Sequence, residues 1–482
     1  MFARQFAEEP DSVHIATLRK EIRQLRRNPW LCVCLVIFAT VVSASLTKGM
    51  RVYRDIDGRQ RARQTEARTD WLLQDTRSAH MATHHGTSLL KVFSPLFAFD
   101  QGVDPHLGTA VRLESHHQQL MTEPLSSEIV DPLRCDVSSS ALLLEFVLPL
   151  LVIFLTFSTI SSERELGTLT LILSSGLSWR RWLWTKSVTS LAIVAAVAAV
   201  PLTWLGGWLA SVCLPPEFAQ GELLIRFGLL AICLLLFLGG WSFLSLGTSA
   251  RAKSSRSALI TLLFLWAGWS VLLPRVAVEY ARQKSPLPLQ EDLVRYSKAQ
   301  VLYGEEGNET SKRIYNDLEK RLLKEYGVTS TKELPLNFSA AKMIALEEHT
   351  DRLYDARIAR LNEAFIAQDQ FLDRTAWTSP YLAIRSVSAA LAGADRKHQE
   401  AFYDAAEQYR RLLVRIMNEF DMAKVKPTKS KSGPEVWALV PEFHYEFPRA
   451  AVVLRQAAVP VLVLIVWFLG TGLFAFTAPP QG

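Results

Sequence analysis

The chain has 482 residues, 49% of them hydrophobic and 21% charged, with a mean hydropathy of +0.13 and a formal net charge of +6. It is too apolar for an ordinary soluble enzyme and too polar for a bundle lying wholly in lipid, so apolar spans must alternate with sizeable polar portions. Much of the basic charge flanks apolar runs, where membrane orientation accounts for it without nucleic acid.

Residues 1–29 end in an amphipathic helix, Ile15 to Pro29. Ile15, Leu18, Ile22 and Leu25 share one face, and Arg19, Lys20, Arg23, Arg26 and Arg27 form the remainder. Such a helix lies on an anionic membrane surface. A cleaved signal peptide is not expected, because the apolar run starts late and no small-residue cleavage site is clear.

Six spans are predicted, at 30–47, 141–160, 187–208, 223–247, 257–275 and 450–476. The short loops set their orientation. Residues 215–221 carry no Lys or Arg, whereas the next loop carries Arg251, Lys253 and Arg256. Basic loops favour the cytoplasmic side, so both termini are expected inside and the long segments 48–140 and 276–449 outside.

The first outer segment opens as a helix continuing the first span, then turns irregular from Ser94 to Val111. The second predicts helices over Lys312 to Tyr326, Ala340 to Phe371 and Lys397 to Met422, with a flexible tip from Lys424 to Pro434. The expected fold is mainly α, a polytopic membrane protein of six helices with two mostly helical extracytoplasmic insertions.

The cytoplasmic stretch 161–186, SSERELGTLTLILSSGLSWRRWLWTK, joins the second and third spans. A charged triplet (Glu163, Arg164, Glu165) leads into a small-residue bend at Gly167 and Thr168. An apolar run follows (Leu169, Leu171, Ile172, Leu173). A second bend then leads to a basic, Trp-rich return into the membrane. Trp and basic residues suit the interface, so a charged interfacial loop is the plain reading.

The wording of the stretch resembles the first intracellular loop of ABC-2 permeases, the membrane subunits of a class of ABC exporters. The resemblance rests on Glu163, Arg164, Glu165, Gly167, Thr168, Leu169, Leu171, Leu173, Ser174, Ser178, Arg180 and Lys186. It implies a coupling helix that docks on a separate ATP-binding subunit, and the N-terminal helix then corresponds to the elbow helix of that family. Ser379 to Asn418 resembles the outer domain of one subgroup, in which a helical insert of unassigned function precedes the last span, and Val436 to Pro448 matches its aromatic exit. That subgroup is linked by name to maturation of multi-copper enzymes, which for this chain is an analogy, since family does not fix substrate. The implied setting is a bacterial inner membrane, with two permease subunits pairing as a homodimer or a heterodimer.

No G-x-x-x-x-G-K-[ST] occurs, so the chain has no ATPase site of its own and ATP is expected to act only through the partner subunit. No H-E-x-x-H or G-x-S-x-G occurs either, and no catalytic residue or bound cofactor is expected. Six of the ten His lie in the first outer segment. His80 and His84 share a helix face, with His85 beside them, and imidazole suits copper or zinc. A solvated polar loop accounts for them more cheaply, and no metal is expected.

Glu145, Arg226 and Arg455 each lie about a turn inside the outer end of a span. Charges there are costly and tend to pair or line a watery path, and Glu145 is expected to pair with Arg455. Cys135 and Cys213 fall just outside the membrane, where a disulfide is one open arrangement.

Two function classes stand. One is a permease subunit coupling ATP hydrolysis to export. The other is a mechanotransmitter, in which ATP-driven motion reaches an extracytoplasmic protein partner and nothing crosses. Lipid is a partner in both.

Overall fold

The computed structural model describes residues 19–23, 27–124, 139–214, 218–286, 307–424 and 432–480. Cys135, most of the Lys424–Pro434 tip and much of the amphipathic helix lie outside the described residues. The protein is mainly helical, and six of its helices are long and apolar enough to cross a membrane.

Helix α1 (Pro29–Leu73) is the longest among the described residues. Asn28 accepts from the Leu31 amide at 3.3 Å and Pro29 occupies the first turn, two features that favour helix initiation. Nothing stops it at the end of its apolar run, so it continues for 45 residues. The short α2 (Ala79–His85) follows it.

The second span, α3 (Ser140–Glu165), carries a π-helical turn at Leu143–Val147. After it come the short α4 (Thr168–Ser174), then α5 (Trp179–Ser211), α6 (Gln220–Arg251) and α7 (Ser255–Lys284), itself holding a π turn at Gly268–Leu272. Both π turns have carbonyls bound from outside: Phe146 O accepts from Trp266 Nε1 at 3.2 Å, and Trp269 O from Ser379 Oγ at 2.7 Å. Helices α8 (Gly307–Tyr326), α9 (Phe338–Thr375), α10 (Pro380–Ala392), α11 (Arg396–Met422) and α12 (Pro434–Trp437) complete the second long segment. They match its helical periodicity.

The last span differs from the continuous 450–476 helix expected. It is α13 (Ala450–Gln456) followed by α14 (Ala458–Phe476), broken at Ala457. Pro460 has no amide to give the Gln456 carbonyl and its ring crowds that position. Lys397 Nζ takes up the Gln456 carbonyl instead, at 3.2 Å.

The bundle closes around α6, most of whose residues from Leu230 onward are buried. Trp241 meets Trp269 and Trp467 edge to face at 5.9 and 5.6 Å. A Cβ at Gly240 would stand 2.0 Å from Trp467 Nε1, so only glycine lets α14 come this close. Ile384, Val387 and Leu391 of α10 are buried in the same apolar core as Leu230, Phe237 and Trp241, so the second segment is keyed into the bundle.

Among its described residues the first segment also holds a sheet, which the sequence did not lead us to expect. Strands β1 (Thr87–Leu90), β2 (Gly108–Glu114), β3 (His117–Gln118) and β4 (Thr122–Pro124) form an antiparallel sheet, with β2 pairing all three others. Leu89, Val111 and Leu113 pack with Phe402, Ala406 and Tyr445. Trp71 donates to the Trp437 carbonyl at 3.0 Å. The two segments therefore form one body at one end of the bundle. The 161–186 stretch, residues 19–23, the α6–α7 turn and Ala478 gather at the other end.

Candidate functional site

The end of α3 turns sharply into α4. Gly167 makes the turn with φ +70°, a left-handed conformation in which a side chain is strained, although a Cβ there would meet no atom within 4 Å. Leu169 then drops into an apolar cluster with Ile160, Trp182, Leu183, Leu246 and Ala250. A second left-handed glycine, Gly176, returns the chain towards α5. Trp179 Nε1 donates to Ala478 O at 2.8 Å, which ties the C-terminal end of the described chain to this elbow.

The charged triplet is bound within the chain, although Glu165 stays exposed. Glu163 is 5% exposed. It accepts from Lys20 Nζ and from Thr168 Oγ1, and Lys186 Nζ lies 3.6 Å away. Lys186 is also buried and donates to Glu21. Two lysines and two glutamates thus strap residues 19–23 onto the elbow and the start of α5. Arg164 donates to the Ala250 and Ala252 carbonyls at 2.6 and 2.5 Å, satisfying the exposed end of α6. Glu165 accepts from the Ser255 amide at 2.8 Å and its hydroxyl at 2.9 Å, capping the start of α7. The Ile160 and Ser161 amides donate to Ser249 Oγ at 3.2 and 3.0 Å. Sequence suggested an exposed charged face because the charged and capping partners of the triplet, Lys20, Lys186, Ala250, Ala252 and Ser255, are far away along the chain.

Two large apolar side chains stand outward on the elbow. Leu166 is 75% exposed and Leu171 is 71% exposed. Thr170, Ser174 and Arg180 are exposed beside them. Leu171 was among the resembling residues, whereas Leu166 was not singled out.

The charges expected inside the spans are held differently from the pairing expected. Glu145 sits in the π turn of α3, buried, with Arg385 of α10 at 3.4 Å. Arg385 also faces Asp100 at 3.6 Å, and Asp100 accepts from Ser388 at 2.5 Å. Arg455 is exposed on α13 and does not meet Glu145, because Arg385 reaches that carboxylate from the helix keyed into the bundle. Arg226 is fully buried. It donates to the Leu391 carbonyl at 3.1 Å and to the Pro448 carbonyl, stands 3.7 Å from Glu222, and lies over the Phe447 ring at 4.9 Å. These contacts fasten the second segment to the spans.

Of the His residues singled out, His80 and His84 come together on α2 and His85 does not join them. The third member is His116, in the turn between β2 and β3, with φ +62°. The ring centroids stand 5.0 to 5.4 Å apart. Burial, reinforced for each by the neighbouring rings, holds both His80 and His84 below the usual imidazole range. His116 Nδ1 lies 2.6 Å from Glu347, which Arg410 holds at 2.7 Å. Burial opposes the charge of Glu347, but His116 and Arg410 outweigh it and bring the carboxyl down to about 2. His116 was not paired with His80 in the sequence because the residues that join them are not local.

A family model described as a domain of unknown function (DUF3526) matches residues 295–446, a range that takes in α8 to α12. No curated protein matches the chain.

Proposed function

We propose that the chain is the membrane subunit of an ABC-2 type exporter, in a bacterial inner membrane with both termini in the cytoplasm and the joined segments outside. A separate ATP-binding subunit hydrolyses ATP and docks on the elbow, and two membrane subunits form the path. The observation that carries the reading is the elbow itself. Leu166 and Leu171 stand in solvent on a turn whose charged triplet is tied to α5, α6, α7 and residues 19–23. Exposed apolar side chains on a rigid support suit a partner surface. A push on Leu171 passes through Leu169 to the cluster it shares with Trp182 and Leu246, and so into two spans at once.

The test is the double variant Leu166→Arg with Leu171→Arg. It touches no internal partner of the clasp, so membrane insertion is expected to persist while co-purification of the ATP-binding subunit drops at least about tenfold, as loss of a buried apolar anchor predicts. Unchanged co-purification would overturn the docking assignment.

A second reading, the mechanotransmitter, is favoured by one observation. The outer body is coupled to the spans through buried Arg226 and the keyed helix α10, so motion at the elbow reaches it without a transported substrate. ATPase stimulation by an outer protein alone would select it; stimulation by a small molecule that also moves across liposomes would select export.

A further inference from the structure

We propose that His80, His84 and His116 bind a divalent transition-metal ion of the Zn²⁺ class. The ligand atoms of the three residues all lie within 4.8 Å of one another. His80 Nε2 and His84 Nε2 stand 3.3 Å apart. Two imidazole nitrogens on a tetrahedral zinc, each at about 2.05 Å, are separated by roughly 3.3 Å, whereas adjacent corners of a square-planar site are roughly 2.9 Å apart. The pair therefore already stands at a tetrahedral edge.

The surroundings fix which nitrogens face inward. His80 Nδ1 is 2.8 Å from Asn418 Oδ1, an acceptor, so the proton belongs on Nδ1 and the Nε2 lone pair points to His84. His116 Nδ1 lies against the Glu347 carboxylate at 2.6 Å, which likewise leaves Nε2 free to ligate. Carboxylate and amide oxygens behind the ring are the usual way that ligating histidines are oriented and made more basic. The Glu347 carboxylate also accepts from the His116 amide at 3.1 and 3.2 Å, so the residue is fixed at both ends.

Charge points the same way. Behind the imidazoles, Arg410 and Arg411 face Glu347, Asp351, Glu407 and Asp355. Four carboxylates against two guanidiniums leave two negative charges in a partly buried place. A divalent cation held by the three imidazoles would offset them. Three protein ligands leave a fourth position for water or an incoming group, and exposed His84 opens it to solvent. The inference stands apart from the docking reading, since it concerns the opposite end of the molecule.

The full chain, purified in detergent and stripped with a chelator, is titrated calorimetrically with Zn²⁺ alone and then with Co²⁺ for its visible spectrum. One Zn²⁺ per chain is expected, with the intense visible absorption of tetrahedral Co²⁺. His84→Ala removes a ligand from an exposed position and should weaken Zn²⁺ binding at least about tenfold, as should His116→Ala; Asn418→Leu should cost about 10- to 100-fold through ring orientation. His85→Ala should change nothing. Binding should also weaken as pH falls, because protons compete with the metal for the imidazole nitrogens. No Zn²⁺ bound by the natural chain, affinity unchanged in His84→Ala, or a weak octahedral Co²⁺ spectrum would each overturn the site.

Discussion

The protein buries charge at both ends of its bundle, and the two clusters differ in their balance. At the elbow, Lys20 and Lys186 meet Glu21 and Glu163, while Arg164 and Glu165 are consumed by helix ends. Each charge there is answered inside the chain. In the outer body, four carboxylates face Arg410 and Arg411, and one of them, Glu347, abuts His116 of the three-histidine group. A balanced cluster acts as a clasp and works by geometry. An unbalanced one calls for a cation. Buried charges alone would not tell these apart; counting them does.

Breaking the outer cluster should have the largest effect. Arg410 is 1% exposed and reaches Glu347, Asp351 and Glu407. Arg410→Met takes a buried partner from three carboxylates, and loss of one partner from a buried network costs roughly 3–5 kcal/mol. Thermal unfolding of the purified protein should show a large drop in Tm, while Arg411→Met, at a more exposed position, should cost clearly less. Equal losses would mean that burial does not set the difference.

The elbow should respond to balance. Glu163→Gln leaves Lys186 near the bilayer edge with less compensation, at a cost of about 1–3 kcal/mol. Adding Lys186→Met should restore part of that stability, because the pair is then removed together. Chemical unfolding of both single variants and the double variant measures this. Strictly additive losses would contradict a clasp whose members depend on one another.

The smallest effect is expected at Gly167. Alanine there meets no atom but must adopt φ +70°, which costs roughly 1 kcal/mol. Gly167→Ala should therefore lower stability slightly and shift the position of α4 more than it loosens the fold. A spin-label distance from Leu171 to Ser254 that stays unchanged would show that the turn tolerates the side chain.

Much of this was legible in sequence, and the gaps share a cause. The six apolar helices and α9 and α11 announce themselves by hydropathy and period, which are local. Strands β1 and β2 are four and seven residues long and depend on each other and on Phe402 for burial, so no single stretch betrays them. Glu145 finds Arg385, 240 residues onward, and Glu163 finds Lys20, 143 residues back. The His pair on α2 shows as a spacing of four, whereas His116 joins only once β2 folds back along the helix. The break at Ala457 was readable, since Pro460 stands in the sequence.

One element crosses both worlds. Helix α1 runs for 45 residues without a proline after Pro29, which at 1.5 Å per residue makes a rod of about 67 Å. A bilayer core takes up about 30 Å of it, leaving roughly 35 Å standing beyond the hydrocarbon. Such a rod is a lever: a tilt of ~10° within the membrane would swing Leu73 by about 6 Å. The displacement arrives where Trp71 grips Trp437 and where α2 begins, so the three imidazoles sit at the far end of the longest arm in the molecule.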